Sequence, residues 1–112
     1  MDEAVSGVHA RVDESAVRSW RVDLRGDVDM RTAPALSERL EQLASEQPLL
    51  VVVDLNDVEF LDSSGIRALV HGARVIEEAG GRLLVEGASG AVARVLELTD
   101  LLNRLSTGDD AV

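Results

Sequence analysis

The apolar positions of this chain change spacing several times, and each change marks an element. Val8, Ala10 and Val12 alternate with His9, Arg11 and Asp13. Trp20, Val22 and Leu24, after Val17, alternate with Ser19, Arg21, Asp23 and Arg25. A period of two predicts two half-buried strands, paired through a turn at Glu14-Ser15. Gly26-Asp27-Val28-Asp29 is expected to break the second strand. The spacing then lengthens to three and four at Leu36, Leu40 and Leu43, the stripe of an amphipathic helix. Thr32 stands at its N-cap and Pro34 in its first turn, where a missing N–H costs nothing. Glu46-Gln47-Pro48 ends it, because the residue before proline avoids helical angles.

Residues 49–55 form a short apolar, β-branched run, read as a strand that is covered on both faces or central in its sheet. Ile66, Leu69, Val70, Ala73 and Ile76 return to helical spacing, predicting a helix from about Ser64 to Ala79 that Gly80-Gly81 stops. Residues 82–86 read as another strand. Ser89 caps a third helix with Val92, Val95 and Leu96 on its apolar face. Leu101, Leu102 and Leu105 extend that packing or form a short final strand. Residues 1–7 carry no pattern and are expected to fray.

This order predicts an α/β fold: a small mixed, mainly parallel sheet of four to five strands with helices packed against it. One domain over residues 1–112 is expected, with a core of about 8–106 and a polar tail at 107–112. Aromatic residues make up only 2% of the chain, so aliphatic side chains must build the core. No apolar run approaches the roughly 20 residues of a membrane helix. Met1-Asp2-Glu3-Ala4 lacks the basic and apolar regions of a signal peptide. A cytoplasmic protein is the expectation.

Composition then narrows the chemistry. The chain has no cysteine, which removes disulfides, thiolate catalysis and cysteine-bound metals. All eleven basic residues are arginine, which removes Schiff-base chemistry and the P-loop lysine. The formal net charge of −10 repels nucleic acid and anionic lipid, so neither nucleic acid nor membrane is an expected partner. A protein with a basic patch suits that charge better. His9 and His71 are the only candidate bases for a serine nucleophile, and no Gly-x-Ser-x-Gly elbow is present. Asp54 near a strand end suggests a phosphoaspartate receiver, but that reading needs a lysine. Gly87-Ala88-Ser89-Gly90 reads as a helix cap rather than a phosphate cradle, lacking the full glycine fingerprint. No metal-ligand spacing is present. The chain is therefore expected to be no enzyme, with no catalytic residue, metal or cofactor.

What remains is Asp62-Ser63-Ser64-Gly65, where a strand hands over to a helix. Capping alone explains an aspartate or a serine there. Three capping-competent residues exceed what one helix start needs. Gly65 in the first turn costs about 0.5–1 kcal/mol relative to alanine, which suggests close approach of another backbone. A phosphorylation switch is the second reading. A phosphoserine carries about −1.5 to −2 charges, and a helix N-terminus tolerates them.

The same residues carry a resemblance. Asp54-Leu55 with Val58-x-Phe60-Leu61-Asp62-Ser63-Ser64-Gly65-Ile66 resembles the signature of STAS domains, specifically the stand-alone bacterial anti-sigma-factor antagonists. Leu24-Arg25-Gly26-Asp27-Val28-Asp29 with Thr32-Ala33-Pro34-Ala35-Leu36 is similar to the family's acidic turn and first helix. Gly80-Gly81-Arg82-Leu83-Leu84-Val85 and Ser89-x-x-Val92-x-Arg94-Val95-Leu96-x-x-Thr99-x-Leu101 resemble its later strand and last helix. The likeness spans about residues 8–106.

It implies a STAS-like fold and partner switching. Such an antagonist binds an anti-sigma factor that is also a serine kinase, and a sigma factor is released. Phosphorylation ends the complex, and a separate serine phosphatase resets it. The resemblance implies Ser63 as the acceptor, with Ser64 as second choice. Asp29, Asp62, Ser63, Ser64 and Gly65, together with Arg67 where the family pattern is left, are the expected partner-surface residues, Gly65 giving clearance for the partner's active site and Ser64 acting as cap or neighbour. Ile66-Arg67-Ala68 departs from the family's Gly-Leu-Gly, and Arg67 is expected to pair with a phosphate on Ser63 or to alter partner choice. Asp100 stands where glycine is common. The alternative is a STAS subunit or sensor module of a stress-signalling or lipid-transport complex that is never phosphorylated.

Overall fold

The shift of apolar spacing from two to three or four marks the shift from strand to helix in the structure. The computed structural model describes residues 3–5, 8–12 and 18–98. The elements are β1 (Glu3–Val5), β2 (Val8–Val12), β3 (Ser19–Val28), α1 (Ala33–Ala44), β4 (Leu50–Leu61), α2 (Ser63–Glu78), β5 (Leu83–Glu86) and α3 (Gly90–Leu98). The strands lie side by side in the order β1-β2-β3-β4-β5. β3, β4 and β5 run parallel because a helix returns the chain between each pair. β2 and β1 extend this parallel unit antiparallel. The mixed α/β architecture follows the sequence pattern.

The core lies between the sheet and its helices. Val22, Leu24, Val51, Val53 and Leu55 of β3 and β4 meet Leu36, Leu40 and Leu43 of α1 and Leu69 and Ile76 of α2, all nearly inaccessible to solvent. Each fully buried aliphatic side chain contributes about 1.5–3 kcal/mol, so leucine and valine suffice where aromatics are scarce. Trp20 is half-buried against this cluster. Gly80, at φ +95, takes the left-handed conformation that ends α2.

The opposite sheet face carries a cluster of charged residues beside the half-buried Val52 and Leu84. The guanidinium of Arg21 donates to Asp54 at 2.9 Å and to Glu86, and lies 3.7 Å from Asp23. Burial pushes the Asp54 carboxyl up. The N–H of Asn56 and the Arg21 guanidinium outweigh it and hold the carboxyl below the usual range. The same bonds, first from Glu86 and then Asp54, raise Arg21 above its ordinary value. Asp54 is thus an ion-pair partner within the sheet.

Three boundaries differ from the sequence expectation. Glu3–Val5, expected to fray, pairs with β2, a ladder that three residues are too short to announce. Gly26-Asp27 does not break β3, which continues to Val28 through two register shifts, between Asp23 and Arg25 and between Gly26 and Asp27. β4 does not stop at Leu55 but runs to Leu61. Five steps on β3 from Asp23 to Val28 match seven on β4 from Asp54 to Leu61, so β4 carries two extra residues. Its buried positions consequently pass from every second residue, Val51, Val53, Leu55, to every third, Leu55, Val58, Leu61. That spacing hides the strand from a period-of-two reading. The turn at Glu14-Ser15 and the expectations for Thr99, Asp100, Leu101, Leu102, Leu105 and the tail lie outside the described residues. Among the described residues, no helix is long and apolar enough to cross a membrane.

Candidate functional site

The two extra residues of β4 bring Leu61 opposite Val28, so β3 and β4 end together. The N–H of Asp62 donates to the carbonyl of Val28 at 3.2 Å. The turn carrying Asp29 and the helix start carrying Asp62 are therefore neighbours at the carboxyl ends of parallel strands, where α/β sheets place their sites.

Asp29 is held by its own turn. Its carboxylate accepts from the Arg31 N–H at 3.0 Å and from the Arg31 guanidinium at 3.2 Å. These bonds hold its carboxyl below the ordinary carboxylate range. Thr32 does stand at the N-cap of α1, but its hydroxyl makes no cap bond to the helix. It donates to the Asp27 carbonyl and accepts from the Asp29 N–H, both at 3.0 Å.

At the second junction the carboxylate does the capping. Asp62 Oδ1 accepts from the N–H groups of Ser64 at 2.8 Å and Gly65 at 3.2 Å. The helix therefore starts at Ser63, one residue before the sequence expectation, and Asp62 rather than Ser64 is its cap. Ser63 is exposed on the first helical residue, and among the described residues no protein group binds its hydroxyl. Ser64 is half-buried beside it.

Gly65 is buried. A Cβ there would stand 2.5 Å from Leu61 Cδ1, 2.8 Å from Val28 Cγ1 and 2.9 Å from the Val28 carbonyl oxygen. The close approach expected of this glycine is thus to its own β3. The space its missing side chain leaves is filled by Val28 and Leu61, not open at the surface as clearance for a partner.

Arg67 is exposed one turn into α2 and lines an open groove of about 520 Å³ between α1 and α2. Ser64, Met30, Pro34, Val70, His71 and Arg74 also line it. His71 Nε2 lies 2.6 Å from Glu41 on α1, which ties the two helices together. Eight residues separate His71 from Ser63, about 12 Å of helix rise, so it is not placed to deprotonate that hydroxyl. The structure brings Asp29, Asp62, Ser63, Ser64 and Arg67 to one end of the molecule. Sequence reasoning missed Met30, 73% exposed in the β3–α1 turn, and Phe60, 50% exposed at the end of β4. A large apolar residue inside the polar turn after Asp29 is the signal that was available for Met30. Among the described residues, no group of acidic or histidine side chains is arranged to hold a metal ion.

The family model described as Mlab, STAS domain matches residues 10–106. The anti-sigma-B factor antagonist of Bacillus subtilis is 33% identical over 81 residues, covering 72% of this chain and 73% of that protein. An anti-sigma factor antagonist from Mycobacterium paratuberculosis superposes with a TM-score of 0.74 at 28% identity, covering 91% of this chain and 86% of that one. The unphosphorylated anti-sigma factor antagonist SpoIIAA shares the fold, with a TM-score of 0.73 at 16% identity over 86% of this chain and 84% of its own.

Proposed function

The chain belongs to the STAS domain family, and from that premise we propose that it is an anti-sigma-factor antagonist. It binds an anti-sigma factor that has serine-kinase activity, thereby releases a sigma factor, and is switched off by phosphorylation at Ser63. The observation that carries this reading is the division of labour at the start of α2. Asp62 takes the cap, and Ser63 keeps an exposed hydroxyl that no group among the described residues binds. The relatives named as anti-sigma factor antagonists supply the partner class.

In the switch, the Ser63 hydroxyl oxygen bonds to the γ-phosphorus of ATP, the bond from that phosphorus to the ADP oxygen breaks to release ADP, and a base of the kinase takes the hydroxyl proton. The helix dipole favours the resulting anion by about 0.3–1 kcal/mol, so the fold survives. A partner that covers a neutral hydroxyl must then desolvate a dianion beside Asp62, which costs several kcal/mol. Arg67, four residues on along the same helix face, is the nearest cation in sequence for that phosphate. Asp29, Asp62, Ser64 and Arg67 frame the contact surface, and a serine phosphatase returns the hydroxyl. The cytoplasm, where sigma factors act, is the site of this exchange.

Incubation with a candidate anti-sigma kinase and ATP, followed by mass spectrometry, tests the reading. Phosphate on Ser63 is the expected result. Ser63→Ala is expected to stay bound to the kinase, and Ser63→Asp to bind poorly. Equal binding by both variants, with no modification at Ser63 or Ser64, would sink the switch and leave an unphosphorylated STAS module.

A further inference from the structure

The groove between α1 and α2 runs against the charge of the rest of the molecule. The chain carries 21 acidic residues and a net charge of −10, yet every ionisable residue lining the groove is basic: Arg67, His71 and Arg74. His71 has Glu41 as its partner. Arg67 and Arg74 have no ion pair among the described residues. Between them the wall is apolar, with Val70 on α2 and the exposed Met30 across from it. The two arginines are seven residues apart, two helical turns, or about 10 Å along the axis.

We propose that this groove is the docking site for an acidic amphipathic helix of the anti-sigma partner. The occupant's chemistry follows from the groove: carboxylates two turns apart for Arg67 and Arg74, and an apolar side chain between them for Val70 and Met30. The partner's identity rests on the function proposed above. Ser64 lines the same groove and Ser63 precedes it, so the docking site is continuous with the phosphorylation site. Phosphate on Ser63 engages Arg67, which stands at i+4, and repels the incoming carboxylates. Modification thus removes one of the two cationic anchors and adds a like charge at the mouth of the groove.

The groove is tested without any natural partner. The probe is a stapled helical peptide with glutamates seven residues apart flanking leucine, and its control carries lysine in place of glutamate. Titration into the ¹⁵N-labelled full chain is expected to shift the amides of Met30, Arg67, Val70 and Arg74 with the acidic peptide only. The double variant Arg67→Gln/Arg74→Gln, its fold checked by circular dichroism, is expected to bind on the order of tenfold more weakly. Equal response to the lysine peptide, or shifts outside the groove, would overturn the proposal. So would a dimer of this chain at low salt that the double variant abolishes, which would assign the groove to a second copy. A candidate anti-sigma factor then separates the two readings. Unchanged binding by the double variant overturns the groove and leaves the antagonist reading. Peptide binding that persists while the wild-type chain ignores every anti-sigma factor overturns the antagonist reading and the partner assigned here.

Discussion

The molecule contains two junctions of the same kind side by side, β3 into α1 and β4 into α2. Each has an aspartate just past a strand end and a hydroxyl residue close behind. At the first, both groups are committed to structure. The Asp29 carboxylate is closed on Arg31, and the Thr32 hydroxyl bridges the Asp27 carbonyl and the Asp29 N–H. At the second, the Asp62 carboxylate alone satisfies two helix N–H groups. The hydroxyl of Ser63 is exposed and is bound by no group among the described residues. A group can be modified without unfolding its host only if the host does not depend on it. The difference between the junctions is therefore the difference between a brace and the exposed hydroxyl proposed above as a switch.

The sharpest way to break the second junction is through its glycine. Gly65→Ala forces a methyl group to within 2.9 Å of the Val28 carbonyl, part of a backbone that also accepts the Asp62 N–H. Overpacking outweighs the roughly 1 kcal/mol alanine gains as a helix former, and a net loss of about 2 kcal/mol is expected in urea denaturation. Ala35, the third helical residue of α1 as Gly65 is of α2, carries a side chain and is only half-buried. Asp62→Ala comes next and orphans the N–H groups of Ser64 and Gly65, at a cost of about 1 kcal/mol. Thr32→Val at the first junction should cost about 1 kcal/mol too, by leaving the Asp29 N–H without its partner. A loss from Thr32→Val no larger than that from altering Ser63 would end the distinction between the two hydroxyls.

Much of this was legible in the chain. The alternation of residues 19–25 and the leucine stripe at Leu36, Leu40 and Leu43 specify their elements because burial imposes the periods of strand and helix. Asp62-Ser63-Ser64-Gly65 was legible as a helix start for the same local reason. The end of β4 was not, because two extra residues stretch its buried spacing from two to three. Which of three adjacent capping residues takes the cap depends on backbone angles: Asp62 is extended at φ −109, ψ −171, while Ser63 is already helical. Composition was silent on that choice. The groove was equally hidden, since it joins the Met30 turn to one face of α2 across a distance that only the folded sheet sets.

A smaller effect separates the two aspartates by pH. The bonds from Arg31 hold the Asp29 carboxyl below its ordinary range, so the folded state binds fewer protons there than the unfolded chain. Its stabilising contribution is present above the unfolded value of about 3.9 and is lost as pH falls through the lower folded value. Asp29→Asn should therefore be less stable than the wild type at neutral pH, and the gap should close in strong acid. Urea midpoints taken across that range give the answer. A gap that stays constant with pH would mean the Arg31 contacts do not discriminate the charged carboxylate.

The smallest expected effect is the most informative for the comparison. Ser63→Ala removes a hydroxyl that no described protein group binds, on an exposed helical residue where alanine is the better helix former. Stability should stay within about 0.5 kcal/mol of wild type, the range of an ordinary surface change. The same substitution abolishes the proposed acceptor. A protein that melts like the wild type but takes up no phosphate at residue 63 would show that fold and switch are separable at this junction. A loss as large as that of Thr32→Val would show instead that Ser63 is a second brace. Position 63 would then have the same character as Thr32, and the case for it as the acceptor would pass to Ser64, half-buried at the mouth of the groove.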